Sequence, residues 1–173
     1  RIGKMEKKKK VGIITFHNAH NYGAMLQVYA LQKVLSRKYD AKVIDYRNEG
    51  IEKLYKVFRI NQRNALTKIK SIIASVIYYK RLSKRYRIFN KFLEENINLT
   101  RRYSTQKQLQ DMPPDLDVYI TGSDQVWNYD ISANKIDAYT LNFGGDNVRK
   151  ISYAASMELI FLFQSIRKNI LII

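Results

Sequence analysis

Between Val11 and Phe16 the chain is almost continuously apolar, the pattern of a strand buried on both faces, as in a parallel sheet. A polar segment, His17 to Gly23, interrupts it. Beyond that segment Ala24, Val28, Leu31 and Leu35 recur at steps of four, three and four. This spacing predicts one face of an amphipathic helix ending near Arg37 and Lys38. Asn21 is placed to cap its start through the side-chain oxygen, and the basic residues suit its negative end. Lys42 to Tyr46 reads as the next strand. A strand, a helix and a second strand in close succession form a βαβ unit, so the sheet is expected to be parallel with a right-handed crossover.

The three- and four-residue spacing resumes at Leu66, Ile69, Ile73, Val76, Tyr79, Leu82, Tyr86, Phe89 and Leu93. It predicts helix over residues 64–97 and leaves open whether this is one helix or two. Asp111-Met112-Pro113-Pro114 stops any helix. Asp117 to Thr121 reads as a strand running into Gly122-Ser123-Asp124-Gln125. Two more strands are expected, at 139–143 and 150–154, with the turn chemistry of Gly144 to Asn147 between them. The fold class is therefore α/β, a Rossmann-like parallel sheet with flanking helices.

A length of 173 residues favours one domain. The absence of cysteine excludes disulfides and Cys-based zinc sites. The net charge of +16 is concentrated, since residues 53–107 hold 15 Lys or Arg and two acids, Glu94 and Glu95. Such a segment is either a solvated helical face or a surface for an anionic partner. Nucleic-acid binding would need base-stacking aromatics interleaved with the cations. Tyr78, Tyr79, Tyr86 and Phe89 fall mostly in the apolar stripe instead, so no nucleic-acid partner is expected. The apolar run after Lys10 is shorter than the ~7–15 residues of an export signal, and no window reaches the ~18 residues of a membrane span. A cytoplasmic location is expected, with Met5 as a possible start. From Leu159 to Ile173 the chain is mostly apolar, an unusual tail that reads as cut or altered.

Ligands of open α/β sheets bind where loops leave the carboxyl ends of the strands. Two polar loops occupy such places, 17–23 and 122–128. The first holds both histidines, His17 and His20, three apart and without a third ligand, so no metal site is expected. They read as partners for loop backbone or as substrate contacts. Asn18, Asn21 and Gly23 offer hydrogen-bond donors and close backbone approach beside a helix N-terminus suited to anions. There is no G-x-G-x-x-G to support a dinucleotide site. In the second loop Gly122 permits close approach to a ligand, and Ser123, Asp124, Gln125 and Asn128 are compact hydrogen-bonding groups. Trp127 either packs in the core or forms an apolar wall for a sugar ring. The G-x-S-x-G elbow is absent, which argues against Ser123 as a hydrolase nucleophile.

Several of these segments together resemble the polysaccharide pyruvyl transferase family. They are Gly12-Ile13-Ile14-Thr15-Phe16-His17-Asn18, then Asn21-Tyr22-Gly23-Ala24-Met25-Leu26-Gln27, then Tyr29-Ala30-Leu31 and Val43-Ile44-Asp45-Tyr46. Thr121 to Asn128, Tyr139 to Phe143 and Ile151 to Ser156 follow in the family's order. The resemblance covers residues 10–156 and implies the N-terminal, Rossmann-like domain of a two-domain fold like that of the GT-B glycosyltransferases. It implies transfer of a pyruvyl unit from phosphoenolpyruvate to a sugar of a surface polysaccharide or its lipid-linked precursor. Phosphoenolpyruvate is then a co-substrate, and no cofactor is implied. Asn18, Asn21, Gly23, Gly122, Ser123, Gln125, Trp127 and Asn128 become substrate contacts, with His17 and Asp124 as the acid–base candidates. Lipid-linked acceptors would bring the protein to an anionic membrane surface. A sugar-binding or sugar-modifying relative with other chemistry, or a small basic nucleic-acid module, is the competing reading. After Ser156 the family pattern gives way to Met157-Glu158-Leu159-Ile160-Phe161. Residues 157–173 therefore read as a truncated or frameshifted tail, and this chain alone as an incomplete, inactive fragment.

Overall fold

The computed structural model describes residues 7–47, 65–128, 136–157 and 171–172. They form a six-stranded sheet in the order β3-β2-β1-β4-β5-β6, in which every pairing is parallel. The strands are β1 (Lys10–Ile14), β2 (Asp40–Tyr46), β3 (Leu99–Tyr103), β4 (Val118–Asp124), β5 (Arg149–Ala155) and β6 (Leu171–Ile172). The helices are α1 (Tyr22–Ser36), α2 (Ala65–Asn96) and α3 (Gln106–Asp111). This order places the topological switch between β1 and β4, which is where open α/β sheets bind ligands.

β1 and β2 are buried on both faces because successive side chains point to opposite sides. Ile14 and Ile44 join a layer with Tyr103, Leu109, Tyr119, Trp127, Tyr139 and Leu141. Ile13 and Val43 join the opposite layer with Met25 and Val28 of α1 and Phe89 and Leu93 of α2. Asn21 caps α1 as the sequence predicts, its Oδ1 accepting from the Gly23 amide at 2.8 Å. The buried face of α1 is centred on Met25, Val28 and Gln32, with Ala24, Leu31 and Leu35 half-buried beside it. Gln32 is polar and buried, and its amide is satisfied. Nε2 donates to the carbonyls of Ala41 and Asn98, and Oε1 accepts from the Asn98 amide. This one side chain ties α1 to β2 and to the start of β3.

The helix expected over 64–97 is a single helix of 32 residues, about 48 Å long at 1.5 Å per residue. Its C-terminal part packs through Phe89 and Leu93, with Ile97 just beyond it. Tyr79 and Tyr86, read in the sequence as part of the apolar stripe, are instead 48% and 45% exposed. Residues 53–64 lie outside the described residues, as does most of the apolar tail. The tail's Leu171–Ile172 pairs in parallel with Ile151 and Ser152.

Residues 139–143, expected as a strand, form turns that follow a 3-10 segment at Ile136–Ala138. The Tyr139 carbonyl accepts from Thr121 Oγ1 at 2.7 Å and from Trp127 Nε1 at 3.0 Å, so it is not available to a neighbouring strand. Leu141 adopts φ +57°. Tyr139, Leu141 and Phe143 are nevertheless buried while Asn142 is exposed, and this alternation imitates a strand in the sequence. β3 went unforeseen for the opposite reason, since Leu-Thr-Arg-Arg-Tyr carries no apolar run.

Gly122 is the glycine on which the central sheet depends. It adopts φ +110°, and a Cβ there would overlap the Tyr153 carbonyl oxygen of β5. Gly122→Ala combines backbone strain with a backbone clash. The expected loss is roughly 3 kcal/mol of stability, read as a lower urea midpoint with an unchanged slope. A midpoint equal to wild type would contradict this packing.

Candidate functional site

The two polar loops meet at the carboxyl edge of the sheet. Thr15 Oγ1 donates to the Ser123 carbonyl at 3.2 Å, joining the end of β1 to the end of β4. Behind this seam the second loop is fastened to β5, because the Ser156 amide donates to the Asp124 carbonyl at 3.0 Å and the Trp127 amide to the Ser156 carbonyl at 3.2 Å.

His17 is buried, with Nε2 2.9 Å from Asp45 Oδ1 and Nδ1 3.2 Å from the Thr15 carbonyl. Asp45 lies at the end of β2 and is itself buried. The Arg47 guanidinium grips it with both ends, Nε toward Oδ1 and Nη2 toward Oδ2. Burial pushes the Asp45 carboxyl up, but hydrogen bonds and charge from His17 and Arg47 outweigh it and hold the group below the usual carboxylate range. The three residues form a hydrogen-bonded cluster beside the seam, with His17 and Asp45 buried and Arg47 half-buried, and both ring nitrogens of His17 face protein acceptors.

The other predicted residues divide by access. Asn21 and Gly23 are exposed at the start of α1, with the Asn21 oxygen serving the cap. Asn18 is half-buried in the same loop. Ser123 and Asp124 are half-buried and Gln125 is exposed, and Asp124 Oδ1 accepts from the Gln125 amide at 2.8 Å. Asn128 is buried, its Nδ2 3.4 Å from Gln125 Oε1. Trp127 is a core residue, 6% exposed and hydrogen-bonded to Tyr139. The close approach made by Gly122 is to β5.

His20 makes a separate set of contacts from His17. Its ring makes edge contact with Tyr86 at 4.7 Å and stacks on Phe89 at 5.5 Å. Its carbonyl accepts from Arg85 Nη2 at 2.7 Å. Arg85, on the cationic side of α2, therefore turns toward this loop. Arg81, Lys84, Arg87 and Lys91 are exposed. The Lys80 side chain is outside the described residues. Among the described residues no group of three or more His, Asp or Glu side chains is placed to hold a metal.

Sequence reasoning missed Asp45, Arg47 and Arg85. A carboxylate closing an otherwise apolar strand is a visible signal, because a buried charge requires a partner. Arg47 follows at the strand's two-residue period, and Arg85 precedes Phe89 by one helical turn. The partners of Asp45 and Arg85, His17 and the His20 carbonyl, are distant in sequence.

The ion cluster predicts a specific acid response. Asp45 has a depressed folded pKa, so its contribution is complete above the unfolded value of about 4. It is lost as pH falls through the lower folded value. Asp45→Asn leaves the Arg47 guanidinium without its counter-ion and removes the carboxylate partner of His17 Nε2, and should cost about 3 kcal/mol at neutral pH. The variant should also lose less further stability than wild type below about pH 4. Parallel denaturation curves for the two proteins across that range would refute the pairing.

The family model for polysaccharide pyruvyl transferase matches residues 21–170. No curated protein and no solved structure matches the chain.

Proposed function

The chain belongs to the polysaccharide pyruvyl transferase family, and on that premise we propose that it serves transfer of a pyruvyl unit from phosphoenolpyruvate to a sugar. The product is a pyruvate ketal on a surface polysaccharide or its lipid-linked precursor. The supporting observation is the seam between Thr15 and Ser123, which brings two motif-bearing loops to the sheet's switch point with Asp124 at the rim.

In this reaction a general acid protonates the methylene carbon of phosphoenolpyruvate, leaving an oxocarbenium-like centre at the adjacent carbon. A sugar hydroxyl attacks that carbon and gives its proton to a base. The carbon–oxygen bond to phosphate breaks, and a second sugar hydroxyl closes the ketal with loss of its own proton. The described loops supply the acceptor side, with Asn18, Asn21, Ser123 and Gln125 holding hydroxyls. Asp124 is the group with access for proton transfer from the acceptor. His17 is the second acid–base candidate, and its engagement with Asp45 and Thr15 gives it the more restricted reach. A cleft that holds both reactants gains ~7–11 kcal/mol from positioning, and these loops account for one reactant.

No described helix is long and apolar enough to cross a membrane. A lipid-linked acceptor would be met at an anionic surface, and exposed Arg81, Lys84, Arg87 and Lys91 provide a cationic face worth about 1 kcal/mol per residue near anionic lipid. Flotation with phosphatidylglycerol vesicles should exceed that with neutral vesicles. Equal binding to both would remove the membrane contact.

The reaction is tested by offering the full chain phosphoenolpyruvate with galactose- and mannosamine-type acceptors while phosphate release and acceptor binding are followed together. Ser123→Ala or Asp124→Asn should weaken acceptor binding by about tenfold, the loss of one or two hydrogen bonds. The chain by itself should release no phosphate. Binding unchanged in both variants would overturn the acceptor-side assignment. Phosphate release abolished by His17→Ala or Asp124→Ala would show instead that this chain is a complete catalyst.

A further inference from the structure

Large aromatic side chains usually lose solvent contact on folding, yet two lie open beside the first loop. Tyr22, the first residue of α1, is 67% exposed, and Tyr86 on α2 is 45% exposed. Both rings are braced from behind. Tyr22 packs on Phe89 at 4.9 Å between ring centres, and Tyr86 meets the His20 ring at 4.7 Å, nearly perpendicular. His20 and Phe89 stack on each other and are both buried. Arg85 fixes the base from the side, with its guanidinium 5.6 Å from the Phe89 ring and one N–H on the His20 carbonyl. Four aromatic or imidazole rings from two elements are thus locked together, and the outer two offer surface to solvent.

We infer that Tyr22 and Tyr86 form a stacking ledge for a pyranose ring of the acceptor, beyond the sugar that receives the pyruvyl unit. This inference rests on the reading of the chain as acting on a sugar acceptor. The ligand class follows from the surface. An apolar ring face bordered by polar edges matches a sugar, which has one C–H-rich face and hydroxyls around its rim. Asn21 and Gly23 flank Tyr22 and are exposed, so amide and backbone groups stand beside the ring. Prior ordering of both tyrosines reduces the entropy lost when a ligand binds. Tyr22 lies on the same loop that begins at the seam with Ser123, and Tyr86 is held against that loop through His20, so an oligosaccharide seated at the seam can extend onto the ledge.

The ledge therefore sets a preference for chain length. Wild-type chain should bind a galactose- or mannosamine-containing oligosaccharide more tightly than the corresponding methyl monosaccharide. Tyr22→Ala and Tyr86→Ala should each weaken oligosaccharide binding by about tenfold and leave methyl monosaccharide binding near wild type. Tyr22→Phe, which keeps the ring, should bind like wild type. Saturation-transfer NMR and titration of the full chain report the affinities, and circular dichroism checks that the exposed substitutions leave the fold intact. Equal oligosaccharide affinity in wild type and both alanine variants overturns the ledge, as does absence of any saccharide binding by wild type. Loss of binding in the Ser123 and Asp124 variants alone would overturn the ledge but leave the acceptor-side reading standing. Loss in the tyrosine variants alone would do the reverse.

Discussion

The central strand of a parallel sheet has neighbours on every side but its ends. β1 is hydrogen-bonded to β2 and β4 and covered on one face by α1 and α2, on the other by the layer around Tyr119 and Tyr139. A polar segment that follows such a strand has only the carboxyl edge of the sheet as an exit. The histidine- and asparagine-rich loop after Ile14 is therefore driven to the same edge as the loop after β4. The crossing of the chain from β3 to the far side of β1 opens the crevice there. The seam at Thr15, the capped start of α1 and the aromatic ledge all follow from that exit.

Polar groups drawn inside by this arrangement are matched locally. Asp45 is held at the end of β2 by a histidine from the neighbouring β1 loop and by an arginine two residues along its own chain. Gln32 repeats the solution with a neutral amide on the helical side. In both cases one buried side chain fastens two or three elements, since leaving either group unpaired in the core costs more than the net value of its bonds. The second loop is held in the same manner by backbone, through Ser156 of the β5 exit. Its rim residues Ser123, Asp124 and Gln125 keep access to solvent above a rigid base.

Trp127 shows how one motif combines a packed anchor with an accessible polar rim. Its indole lies in the core and, with Thr121, captures the Tyr139 carbonyl. That capture bends residues 139–143 away from the sheet while still burying their apolar side chains. Val126 beside it is also buried, and Ser123, Asp124 and Gln125 before that form the rim. The recognisable motif is thus a short anchored segment, with accessible polar groups carried on a fixed apolar foundation.

The parallel sheet, the two loops, the cap at Asn21 and the long basic helix were legible in the sequence. Each depends on local periodicity, on side-chain length or on the consequence of placing a polar run after a buried strand. The family was legible as well, because its motifs are contiguous segments in a set order. Tertiary structure decided which of two segments was a strand. Leu-Thr-Arg-Arg-Tyr became an edge strand through pairing with β2, whereas the better pattern at 139–143 became turns once its carbonyl was taken. Only tertiary structure brought Asp45 to His17, and Arg85, Tyr86 and Phe89 to His20. Those partners are 28 to 69 positions apart, and hydrogen bonds and ring contacts depend on distance in space, to which residue spacing within one segment is blind.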